Sequence, residues 1–236
     1  MKRFYAAVTI DEADGETGGG WRVLLDGRAI RTAGGRPQIV PTRALAQAMA
    51  AEWALQGEVI DPTAFFHRDL ADYALDIIAA DKHAAIGAML RFAETDTLCY
   101  RADPEDALHA RQSEVWEPLL VAAERRWDVR FVRVAGVIHQ PQPPATLARL
   151  KAVLAARGDC DLAALRSLAS LAASLLIAFA AIAPGADAEA LWNAANFEED
   201  WQAELWGKDA EAEALRARRY ADFAAAARFA GLAREG

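Results

Sequence analysis

The chain has 236 residues, 54% hydrophobic and 25% charged, so it is a folding sequence with apolar mass for one large core or two smaller ones. A net charge of −8 argues against a nucleic-acid partner, because neutralising phosphates needs a basic face. Two cysteines, Cys99 and Cys160, are too few for a disulfide framework or a zinc site and fit a reducing compartment.

The first forty residues read as β structure. A strand is expected over 3–10 and a glycine-rich break over 15–20. Strands at 21–25 and 28–31 flank Asp26-Gly27, the strongest short hairpin signal. Helices take over at Pro41-Thr42, where Thr42 is a natural N-cap. Leu45, Met49 and Trp53 then recur one turn apart, and Gly57 offers a stop. Asp61-Pro62 marks a boundary, which divides the chain into a β-rich N-terminal domain, 1–60, and a helical C-terminal domain, 61–236.

Further helices are expected over 68–82, 83–93, 104–127, 144–157, 161–182 and 187–234, the last broken around Gly207. Alternating β-branched residues predict one extended stretch, 129–137, before the rigid Gln140-Pro141-Gln142-Pro143-Pro144 connection. The fold class is therefore α+β: a small antiparallel sheet, then a larger, mainly helical part. The uncharged run 167–184 is slightly short for a membrane span and diluted by Ser167, Ser170 and Ser174, so it is expected as a buried helix without membrane insertion. The N-terminus has no apolar leader, and few lysines among many arginines suggest a GC-rich bacterial genome; a cytoplasmic location is expected.

Catalytic signatures are missing from the sequence. It contains no GxGxxG, P-loop, GxSxG, HExxH or CxxC, so no nucleotide, cofactor or metal is expected and no enzyme activity. His67, His83, His109 and His139 lack metal-ligand spacing. Asp69, Asp72 and Asp76 share one helical face, as a magnesium-binding stripe would, but a solvated face beside Leu70, Tyr73 and Ile77 explains them with less. Cys99, between Leu98 and Tyr100, reads as a small core residue, and Gln112, Trp116, Pro118 and Leu119 as helix packing.

Residues 196–211 alternate carboxylates and aromatics, with Lys208 their only basic residue. Tryptophan is over-used at protein–protein hot spots and carboxylates make directional contacts to Arg, so the segment looks made to meet another surface. Composition alone favours a plainer alternative: Trp192, Trp201 and Trp206 cover the core while Glu198, Glu199, Asp200 and Glu204 face water.

Taken in order, several motifs resemble those of a known family. Phe4-Tyr5, Leu25-Asp26-Gly27-Arg28, Ile30-Arg31-Thr32, Val40-Pro41-Thr42, Ala51-Glu52-Trp53, Gln56-Gly57 and Ile60-Asp61-Pro62 are similar to the start of the ATP synthase assembly chaperones that handle the alpha subunit of the catalytic head. Glu94-Thr95-Asp96, Leu98-Cys99-Tyr100-Arg101, Gln112, Trp116 and Pro118-Leu119-Leu120 resemble the family's middle. Phe197-Glu198-Glu199-Asp200-Trp201-Gln202, Trp206-Gly207 and the Arg-rich last helix resemble its end. Asp72 stands where Asn or Thr is commoner, and Thr97 where Leu is.

The resemblance implies two domains and a non-enzymatic protein that holds free alpha subunit until beta replaces it, in the mitochondrial matrix for eukaryotic relatives. It also implies Glu198 as an essential position, with Glu199, Trp201 and Trp206 beside it as partner-binding residues. Asp26, Gly27, Trp53, Glu94, Asp96 and Trp116 then serve as structural motif positions. The other classes left open are a generic peptide-binding module and an enzyme using the Asp69–Asp72–Asp76 stripe or Cys99.

Overall fold

A computed structural model of the chain describes residues 1–13, 19–136, 138–207 and 209–235. It divides into two compact units: Met1–Lys82 with Gly158–Ala164 and Ala225–Gly236, and His83–Arg157 with Leu165–Ala224. The architecture is α+β, a small antiparallel sheet followed by a mostly helical remainder, as the sequence indicates.

In the first unit, β1 (Val8–Glu12), β2 (Trp21–Leu25) and β3 (Arg28–Ala29) form the sheet in that order, with Val8 opposite Leu25 and Leu24 opposite Ala29. The break expected over 15–20 lies mostly outside the described residues. Asp26 and Gly27 both take positive φ, 48° and 76°, which gives the hairpin turn whose twist matches the strands. Asp26 is among the few side chains that tolerate this region, and its carboxylate also accepts from Ala7 N at 2.8 Å and Ala6 N at 3.1 Å. Those bonds, Ala7 first, hold its carboxyl below the usual range. They also explain why β1 begins later than residue 3: the chain turns at Ala6-Ala7, and Lys2 and Arg3 pair instead with Val59 and Glu58. β3 stops short of residue 31 because the chain folds back, with Thr32 N donating to Arg36 O at 2.9 Å.

Thr42 caps α1 (Arg43–Ala54), its hydroxyl accepting from Leu45 N at 3.1 Å. The helix buries Leu45, Ala46, Met49 and Trp53 on one face, each large side chain contributing about 1.5–3 kcal/mol. Gly57 does not stop it; α1 ends in ordinary right-handed backbone at Leu55. The exit is held by Arg3, which donates to Gln56 O at 2.7 Å, and by Asp61 N, which donates to Gln56 Oε1 at 2.7 Å.

The helix expected over 68–82 is α2 (Phe66–Tyr73) running into one π turn, Ala74–Ile78. Of its carboxylates Asp69 faces solvent as expected, whereas Asp72 and Asp76 do not form a solvated face. Asp76 accepts from Thr32 Oγ1 at 2.8 Å and Gly34 N at 2.7 Å; Asp72 accepts from Ala33 N at 3.0 Å and pairs with the Gln38 amide. A side chain on Gly34 would lie 2.7 Å from the Asp76 carboxylate, so the approach needs glycine.

The second unit holds most of α3 (Lys82–Glu94), then β4 (Tyr100–Arg101), α4 (Ala107–Trp127), β5 (Val134–Ala135) and α5 (Pro144–Ala155). The sequence-predicted strand over 129–137 reduces to β5, parallel to β4, and Val137 is not described. Side chains take its backbone instead: Phe131 N donates to Glu124 Oε1 and Val132 N to Gln142 Oε1, both at 2.8 Å. A segment paired this way is extended without a ladder.

The single helix expected over 161–182 is two, α6 (Asp159–Ala172) and α7 (Leu175–Ala181), separated by Ala173 at φ 48°. α7 is apolar and buried, but no described helix is long and apolar enough to cross a membrane. The C-terminal helix is three: α8 (Ala188–Ala195), α9 (Phe197–Trp206) and α10 (Ala210–Leu232), with breaks at Asn196 and at Gly207, whose φ is 92°.

Candidate functional site

α9 stands apart from the other long helices: none of its residues is buried. Asn196 separates it from α8, its amide donating to Trp192 O at 2.8 Å. Glu198, Glu199 and Asp200 fill the first turn, where the helix dipole favours negative charge. Gly207 ends the helix directly after Trp206.

The sequence-predicted partner-binding residues divide in two. Glu198 and Trp201, three residues apart on one face, sit against α4: Glu198 Oε1 accepts from the buried Gln112 amide at 2.5 Å, and the Arg111 guanidinium lies over the Trp201 ring at 5.5 Å. Glu199 and Trp206, seven apart, stand on the open face, and Trp206 is 79% exposed with Leu205 at 59% beside it. Gln112 is positioned rigidly, since its Oε1 accepts from Ala102 N at 2.7 Å. The Glu198 carboxylate is thus fixed in place while remaining exposed.

Asp200 is already occupied. Arg216 of α10 grips it with both guanidinium nitrogens, and this pair borders a groove of about 430 Å³ that also carries Glu189, Glu199, Asp209 and Glu213. The plainer alternative, tryptophans covering the core, holds for Trp192, which is 2% exposed, and fails for Trp206. An exposed indole on a helix with no buried residue is a feature common at protein-contact surfaces.

The motif positions elsewhere are structural in their contacts. Trp53 packs on Phe65 and Tyr5 with ring centroids at 4.4 and 5.5 Å. Trp116 is fully buried and donates from Nε1 to Ala194 O at 2.7 Å. Glu94, the last residue of α3, is exposed. Asp96 is fully buried and joins three segments: its carboxylate accepts from Ser174 Oγ at 2.6 Å, Leu176 N at 3.0 Å and Leu98 N at 3.2 Å. The sequence reading marked Asp96 as a structural motif position and Gln112 as helix packing, but it missed Arg111 and did not show that Gln112 supports α9 or that Asp96 anchors α7. Cys99 is fully buried, and burial pushes its thiol up, so the thiolate a nucleophile requires is disfavoured. His67 binds Glu52 at 2.7 Å and His139 binds Tyr100 at 3.0 Å, so both are hydrogen-bonded residues.

Residues 2–124 match the profile of the ATP12 chaperone protein family. Over 99% of this chain and 98% of the other, the structure resembles that of Atp12 from Paracoccus denitrificans and of an Asp-to-Lys mutant of it, each with a TM-score of 0.91 and 39% identity. Over 98% of this chain and 85% of the other it resembles the Atu1473 protein of Agrobacterium tumefaciens, named as a candidate chaperone, with a TM-score of 0.90 and 39% identity. The chain belongs to the ATP12 chaperone family, the ATP synthase assembly chaperones that its motifs resemble.

Proposed function

We propose that this protein binds the free alpha subunit of the ATP synthase catalytic head and keeps it from aggregating until the beta subunit takes its place. The observation that carries the reading is α9, a helix with no buried residue, which leaves Glu199, Leu205 and Trp206 exposed and holds the exposed Glu198 carboxylate on Gln112, in a chain of this family. An isolated subunit exposes a surface that its neighbour later buries, and obligate interfaces are more hydrophobic than ordinary surface. A chaperone covering part of that surface, through an aromatic anchor and a carboxylate, is displaced by mass action when beta arrives. Glu198 then accepts a hydrogen bond from an Arg or backbone donor of the client, and it is no general base.

In this reading the protein works in the cytoplasm, without nucleotide, cofactor or catalysis. Calorimetry with magnesium and ATP is expected to give no saturable heat; a micromolar dissociation constant would contradict that part.

Glu198→Lys tests the surface. Reversing the charge at an interface anchor costs about 2–5 kcal/mol, so affinity for alpha is expected to fall roughly thirtyfold or more. Losing the bond leaves the buried Gln112 amide without its acceptor, at about 1–3 kcal/mol, which lowers the melting temperature by roughly 2–12 °C without unfolding the protein. Unfolding of the variant would make Glu198 a fold-stabilising residue, and undiminished alpha binding would move the client surface elsewhere.

A further inference from the structure

The first unit contains a cleft of about 1130 Å³, above the ~300–1,000 Å³ of small-molecule pockets. One wall is the segment Arg28, Ala29, Ile30 and Arg31; another is α2 with its π turn. Phe4 and Ile77, 61% and 54% exposed, form an apolar rim.

Three observations describe what fits there. First, β3 is an edge strand: it pairs with β2, and no described strand covers its other side. Second, the cleft offers donors and few free acceptors. Asp26 is occupied by Ala6 N and Ala7 N, Asp72 by Ala33 N and the Gln38 amide, and Asp76 by Thr32 Oγ1 and Gly34 N, while Asp69 pairs with Arg68. Arg28, by contrast, is exposed and makes no hydrogen bond among the described residues, although its charge lies close enough to Asp26 to help hold that carboxyl down. Third, Trp53 in the cleft wall is 7% exposed, and its indole N–H finds no acceptor among the described residues. A buried donor without a partner is uncommon in folded proteins.

We infer that this cleft binds an extended polypeptide segment that adds to the open edge of β3 and presents an acidic side chain to Arg28. Strand addition supplies the backbone acceptors that an edge lacks, and alternate apolar residues of the segment lie between Phe4 and Ile77. The site lies in the first unit and is separate from α9, which belongs to the second. It rests on the client-binding reading only in that the segment would come from a client.

The test uses a synthetic probe, so its failure leaves the Glu198 result untouched. The probe is an end-capped, fluorescein-labelled peptide of about eight residues alternating valine and glutamate, a length that spans β3 and the rest of the 28–31 wall with margin. Anisotropy is expected to show saturable micromolar binding by the intact protein. Arg28→Glu, and separately a valine–lysine peptide, are each expected to weaken binding at least tenfold, with the variant's melting temperature unchanged. Hydrogen exchange on binding should slow at residues 28–31. The proposal is overturned if the parent shows no saturation at about millimolar peptide, the weak end of specific binding. Undiminished binding by Arg28→Glu, or protection confined to other segments, overturns it equally.

Discussion

Trp53→Arg is expected to lower the melting temperature by about 10 °C or more and to cost solubility on expression. Trp53 closes the buried stripe of α1, packs on Phe65 and Tyr5, and its carbonyl accepts the Tyr5 hydroxyl at 2.6 Å. Removing a core tryptophan costs roughly 3–5 kcal/mol, and a guanidinium in its place adds the penalty of a buried charge. That is a large share of a typical stability of about 5–15 kcal/mol. A variant as soluble and heat-stable as the parent would show that Trp53 does not support this core.

Asp96→Ala is expected to have the next largest effect, about 3–5 kcal/mol in the second unit. Truncation leaves the Ser174 hydroxyl and the Leu98 and Leu176 amides buried without their acceptor, at about 1–3 kcal/mol each when unsatisfied. It also removes the charge that starts α7. Urea denaturation measures this directly, and a loss below about 1 kcal/mol would contradict the role.

The same group has a pH signature. Burial pushes the Asp96 carboxyl up to about 6, against the opposing bonds from Ser174, Leu176 and Leu98. Between about pH 4 and 6 the folded state keeps a proton that the unfolded state has released. This contribution to stability therefore falls as pH rises through that window, by about 3 kcal/mol, and is flat above it. On going from pH 4.5 to 7, the parent is expected to lose more stability than Asp96→Asn. The opposite sign would mean that the hydrogen bonds outweigh burial.

Local signals carried well from sequence to structure. Asp26-Gly27 needs positive φ and forms the turn; Thr42 caps α1; Leu45, Met49 and Trp53 face the core together. What failed was set by distant partners. The split between α6 and α7 depends on Asp96, which is 78 residues from Ser174, and no window around Ala173 reveals it. Spacing placed Asp69, Asp72 and Asp76 on one face, but only the fold brings the Thr32–Gly34 donors to two of them. Alternation at 129–137 marked an extended chain, yet alternation cannot tell a strand ladder from a backbone paired by Glu124 and Gln142.

For the candidate site, composition flagged the segment but could not separate a covering tryptophan from an exposed one. Trp192 and Trp206 look alike in sequence and are 2% and 79% exposed. The difference is tertiary: Trp192 packs on Phe223 and Tyr220, while Trp206 lies at the end of a helix with no buried residue. The proposed client rests on the ordered family motifs alone, because no pattern of charge and aromatics specifies which protein such a surface meets.

The central claim is tested most directly by light scattering of purified alpha subunit diluted from denaturant, with and without an equimolar amount of this protein. Scattering is expected to be suppressed by the parent, to stay suppressed while alpha passes into the complex with added beta, and to return to the unprotected level with Glu198→Lys. Alpha aggregating equally fast in the presence of the parent, or an unrelated unfolded chain being protected just as well, would contradict a chaperone dedicated to this subunit.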